Sequence, residues 1–146
     1  MNLIADTIMT ELHESTPAVT WTGRILSGLV IAFLLLDGSL KLVPIQPVSE
    51  AMLHLGFDST DALARGLGTL LIACTLLYAV PRTALIGAIL LTGYLGGSIA
   101  IHLRIGNPLF THILFGGYLG VLLWIGLLAR SARLRALIFN RAVEVA

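Results

Sequence analysis

Eight side chains of this sequence could move protons or hold a polar ligand: Asp37, Lys41, Arg65, Tyr94, Ser98, His102, Arg104 and His112. Asp37 and Lys41 are an i,i+4 pair and can neutralise each other on one turn of helix. Tyr94, Ser98 and His102 recur at i, i+4 and i+8, so a helix would align them in one polar line. Imidazole titrates near neutral pH, which suits proton uptake coupled to electron transfer. With Tyr94 and Arg104 as donors and Asp37 as proton acceptor, the set could bind the carbonyls of a quinone. Haem ligation by His102 and His112, with Glu50 and His54 nearby, is the weaker reading because no ligand spacing compels it. Each group also has an ordinary reading. The Asp37–Lys41 pair can be structural, the long cations can snorkel to headgroups, and interfacial histidines can bond backbone carbonyls.

These groups stand in apolar surroundings. Hydrophobic residues make up 57% of the chain and charged residues 12%, against roughly 25% charged in soluble domains. Mean hydropathy is +0.94. A soluble globule could not cover itself with so little polar surface, so an integral membrane protein is expected, with the lipid bilayer as its solvent. Net charge is +1, and no basic patch with interleaved aromatics points to nucleic acid. Cys74 is the single cysteine, which excludes an internal disulfide or dithiol relay and reads as a small core- or lipid-facing residue. Asp6, Glu11 and Glu14 precede the first apolar run and no Lys or Arg appears before Arg24. The first segment is therefore expected to be retained as a span rather than removed as a signal peptide.

Four apolar runs are long enough to cross a ~30 Å hydrocarbon core. They cover about residues 23–43, 62–80, 82–102 and 110–129. In the first, Ser27, Val30, Leu34, Asp37 and Lys41 fall on one stripe facing neighbouring helices. Between the first two runs, Val48, Met52 and Leu55 predict a short amphipathic helix ended by Gly56. Asp58, three residues before Asp61, reads as the cap of the next helix. The third run carries Gly87, Gly93, Gly96 and Gly97 and is expected to sit inside the bundle with neighbours on several sides. The Gly93–Gly97 and Gly116–Gly120 pairs are read mainly as internal packing faces, and secondarily as surfaces for a homo-oligomer. Trp21 and Trp124 read as interfacial anchors. The expected fold is thus all-α: a four-helix transmembrane bundle over residues 21–129, a tail or interfacial helix over 1–20, and a basic segment over 130–146.

Alternation of the spans places both termini on one side. Arg24, Arg82, Arg130, Arg133, Arg135 and Arg141 lie on that side, which predicts cytoplasmic termini in the cell (inner) membrane. Asp37, Lys41, Arg65, His102, Arg104, Asn107 and His112 then gather at the opposite end, beneath the amphipathic helix. Buried ionisable groups in a membrane are candidates for function by default.

The segments GRILSGLVIAFLLLDGSLKL, PRTALIGAILLTGYLGGSIAIHLRIGNP and LLWIGLLARSARLRALI resemble the DoxX-like family of small four-helix bacterial membrane proteins. The family takes its name from a membrane subunit of a thiosulfate:quinone oxidoreductase. The resemblance implies the architecture; it supplies no catalytic motif to carry over residue by residue. Two functions fit. One is an accessory subunit of a quinone-linked redox complex, with a partner subunit supplying electrons, since the chain has no flavin, dinucleotide or iron–sulfur fingerprint. The other is a non-enzymatic binder or carrier of a small hydrophobic or amphipathic ligand, or a scaffold for a partner. Whether a reaction is catalysed is left open by the sequence.

Overall fold

A computed structural model describes residues 17–43, 46–57 and 60–139. The expected N-terminal tail up to residue 16, and the Asp58 cap, lie outside these residues. Helix α1 spans Pro17–Leu42, α2 Gln46–His54, α3 Thr60–Ala79 and α4 Ala84–Arg104. A π-helical turn at Leu109–Ile113 leads into α5 at Leu114–Arg130, and α6 covers Ala132–Phe139. Four helical stretches are long and apolar enough to cross a membrane: Pro17–Leu42, Asp61–Ala79, Ala84–Arg104 and Leu109–Arg130. The fold is the all-α four-helix bundle, with the short helix between the first two spans. Helix α1 starts earlier than hydropathy alone indicates, because Pro17 suits a first helical turn, where its missing N–H has no partner to lose.

Each span buries one narrow stripe. In α1 it is Gly23, Ser27, Val30, Leu34 and Gly38, and in α5 it is Gly116, Leu119, Leu123, Gly126 and Leu127. Helix α1 packs on α3 and α5, and α4 packs on the same two, so α1 and α4 face each other across the bundle. The third span is therefore no more central than the others. It has two neighbours, and Leu85, Ile86, Ile89 and Leu90 are exposed along it. Cys74 is buried in the core.

The bundle is tied at the end carrying the Pro81 turn. Tyr78 is fully buried there, and its hydroxyl donates to the Leu123 carbonyl at 2.8 Å while lying 3.0 Å from the Ser27 hydroxyl. One phenol thus joins α1, α3 and α5. Arg130 donates to the Tyr78 carbonyl at 2.6 Å and lies 4.6 Å from the centre of its ring. An arginine that topology alone explains in the sequence is here a clamp on Tyr78. Helices also approach most closely at this end: a side chain at Gly87 would overlap the Tyr78 backbone, and one at Gly23 would lie 2.6 Å from Ala129 Cβ. Arg135 reaches back to the Leu128 and Ala129 carbonyls, both at 2.7 Å, capping α5. Trp124 is not a simple interfacial anchor, since its indole N–H donates to Thr92 Oγ1 of α4 at 2.9 Å.

The other end is finished differently. Helices α2 and α4 stop at Gly56 and Gly106, whose φ angles of 83° and 71° reverse the chain in the left-handed region. Helix α2 packs on α3, buries Met52, and is tied to the start of α3 by Ser49 donating to Asp61 at 3.3 Å.

Candidate functional site

Under α2 lies a cavity of about 660 Å³, within the range of small-molecule sites. Helix α1 contributes Phe33, Asp37, Leu40 and Lys41 to its wall, and α4 contributes Gly93, Tyr94, Gly97, Ser98 and His102. The π-helical turn and α5 add Thr111, His112 and Phe115, while Val48 and Met52 of α2 form the roof.

Antiparallel threading explains why these residues share one chamber. The last turns of α1 and α4 and the first turns of the fourth span must lie at the same end. The 3.6-residue period then aligns Tyr94, Ser98 and His102 on the inner face of α4. The Gly106 reversal brings Asn107 back onto the helix it follows. Its backbone N–H bonds the His102 carbonyl at 3.1 Å, and its side-chain amide lies 2.7 Å from His102 Nδ1. An amide nitrogen can only donate, so Nδ1 accepts and the hydrogen of neutral His102 sits on Nε2. That leaves an imidazole N–H for a ligand. The His112 ring centre is 5.8 Å from that of His102, and His112 Nδ1 lies 2.8 Å from Thr111 Oγ1.

On α1 the expected i,i+4 ion pair is present, with Lys41 Nζ against Asp37 Oδ1. Both groups are half-buried, which a helix end under a roof permits and a lipid-facing surface would not. Tyr94 packs its ring against the core cluster. Among the described residues the hydroxyls of Tyr94 and Ser98 have no hydrogen-bond partner. The site therefore offers two hydroxyls and an imidazole along one wall and a neutralised charge pair on another, in an otherwise apolar chamber. This arrangement can hold a molecule with a small polar head and an apolar body.

Two of the eight sequence candidates stand apart. Arg65 is exposed on α3 and does not line the cavity. Arg104 is exposed and reaches the turn after α2, where its Nη2 would lie 3.3 Å from a side chain placed on Gly56. Long cations at helix ends extend along the surface rather than inward. Among the described residues, no three His, Cys, Asp or Glu side chains group as a metal site.

Wall residues that the sequence reading did not single out include Phe33, Leu67, Leu70 and Phe115, and it gave Gly93 and Gly97 another role. The Gly93–Gly97 pair was expected to pack a helix. Instead, no atom of the described residues lies within 4 Å of a side chain built on either glycine. Gly116 does pack, 3.0 Å from Ile99 Cγ1 and 3.3 Å from the Leu95 carbonyl. One signal could have separated the pairs. Leu70 and Gly93 are roughly equidistant from the Pro81 turn, so their level in the hairpin is readable.

The family model of the DoxX-like family matches residues 25–126. The chain belongs to the DoxX-like family. All of the cavity wall, from Phe33 to Leu119, falls inside the matched segment. With its four long apolar helices, this DoxX-like chain is a multi-pass membrane protein. No curated protein and no solved structure matches it.

Proposed function

We propose that this DoxX-like protein holds a quinone in the cavity under α2 and serves as the membrane-embedded accessory subunit of a redox complex. The observation that carries this reading is the pairing of unpartnered hydroxyls with an apolar chamber. Tyr94, Ser98 and the Nε2–H of His102 are donors suited to the carbonyls of a quinone ring, and Phe33, Leu95 and Leu119 are suited to its apolar faces. Asp37 and Lys41 form the nearest pair that could exchange protons with such a head. Electrons would come from a partner subunit.

Orientation follows from charge. Arg24, Arg82, Arg130, Arg133 and Arg135 stand at the Pro81 end or beyond it. The positive-inside rule then places both termini in the cytoplasm and the cavity in the outer half of the cell membrane.

The test is mass spectrometry of lipophiles that co-purify in mild detergent, followed by titration with a short-chain quinone. Tyr94→Phe removes a hydroxyl that makes no internal bond, so it should leave stability unchanged and weaken quinone binding by about threefold to tenfold. A wild-type protein that binds no quinone overturns the redox reading. Binding of a different uncharged amphiphile in that case would favour the carrier alternative.

A further inference from the structure

We propose that the chain of the bound molecule leaves the cavity sideways, through a gap between α3 and α4 at Gly93 and Gly97. The site then selects amphiphiles with a long tail over compact ones of the same head. This deepens the quinone reading and rests on it.

Four seams between helices surround the bundle at the depth of the cavity. Between α1 and α3, Gly38 and Gly68 touch: a side chain on Gly68 would lie 2.7 Å from the Gly38 carbonyl oxygen. Between α4 and α5, Gly116 sits against Leu95 and Ile99. Between α1 and α5, the Phe33 and Phe115 rings meet edge to face with centroids 5.5 Å apart. The α3–α4 seam behaves otherwise. It is tight near the Pro81 turn, where Gly87 lies against the Tyr78 backbone. At Gly93 and Gly97 nothing among the described residues stands within 4 Å of an added side chain.

Both glycines line the cavity, and so do Leu67 and Leu70 from the facing helix. Leu70 is 52% exposed, and Gly93 and Gly97 are exposed as well. The same residues thus border the interior chamber and the lipid-facing surface, which is what a lateral mouth requires.

Glycine in a helix interior is unfavourable compared with alanine. At Gly23, Gly38, Gly68, Gly87, Gly116 and Gly126 that disadvantage accompanies a close helix approach, whereas Gly28, Gly66, Gly96 and Gly117 stand in open space. Of the helical glycines in open space among the described residues, Gly93 and Gly97 are the two that line the cavity, where their missing side chains leave a gap free. Gly96 provides an internal control: it is exposed and has open space around it, yet it does not line the cavity.

The experiment compares two probes, a tailless dimethoxy-methyl-benzoquinone and its decyl derivative, on purified full-length protein. The variants are Gly93→Leu with Gly97→Leu, and Gly96→Leu alone. The double variant should weaken binding of the decyl probe at least about tenfold more than it weakens binding of the tailless probe, from overfilling of the gap. Gly96→Leu should bind both probes as wild type does. If the double variant does not accumulate, Leu70→Trp narrows the same gap from the opposite wall, and the same comparison applies. Undiminished decyl binding overturns the proposal and leaves the quinone reading standing. Equal loss of both probes, or equal loss in Gly96→Leu, overturns it too. Wild-type protein that binds neither probe removes the quinone reading itself, before any variant is made.

Discussion

The same substitution on one helix should have opposite signs at Gly87 and Gly93. Replacing a helical glycine by alanine stabilises a helix by up to about 1 kcal/mol when nothing else changes. At Gly93 the new methyl meets open space among the described residues, so that gain should stand. At Gly87 the methyl would overlap backbone atoms of Leu77 and Tyr78. Backbone cannot swing aside as a side-chain tip can, so α3 and α4 must separate at their tightest point. Overpacking of this kind costs about 1–3 kcal/mol. Subtracting the helix gain, Gly87→Ala should destabilise by up to about 2 kcal/mol, placing the two variants about 1–3 kcal/mol apart. Separation at Gly87 would also loosen Tyr78, which anchors three helices. The assay is reversible unfolding in mixed detergent micelles, with wild type and both variants measured together. Gly87→Ala at least as stable as Gly93→Ala would refute the picture of two helices pinned at the turn with open space at Gly93.

Two further outcomes follow from contacts at opposite ends of the bundle. Tyr78→Phe and Ser27→Ala share one hydrogen bond, so a double-mutant cycle should give a coupling of about 0.6–1.7 kcal/mol, the range for interhelical bonds in membranes; strictly additive effects would show that the two hydroxyls do not interact. Gly106→Ala forces a left-handed φ on a residue with a Cβ and should destabilise by about 1–2 kcal/mol. It should also shift the His102 ring signals in NMR spectra, because the Gly106 reversal holds Asn107 against Nδ1; unchanged His102 signals would contradict that coupling.

Much of the architecture can be read along the chain. Hydropathy marks the four spans because each must fill the same hydrocarbon thickness, and any chain that crosses alternately brings the same ends together. That parity alone collects Asp37, Lys41, His102 and His112 at one end. The glycine reversals at Gly56 and Gly106 are local as well, since only glycine adopts that backbone conformation without strain.

What the chain could not reveal is which neighbour each residue meets and how closely. Gly93–Gly97 and Gly116–Gly120 carry the same spacing, yet Gly116 is packed against Leu95 and Ile99 while Gly93 and Gly97 line the cavity with open space around them. The pattern is identical, and the distance to the next helix decides its meaning. On the same helix Gly87 is held tightly against Tyr78, which Arg130 clamps. Arg65 and Arg104 diverge from the cavity for a related reason. A long cation near a helix end can reach either water or the interior, and only the packed neighbours determine which. Periodicity and parity are properties of the chain, whereas openness depends on distances between helices and so belongs to the assembled bundle.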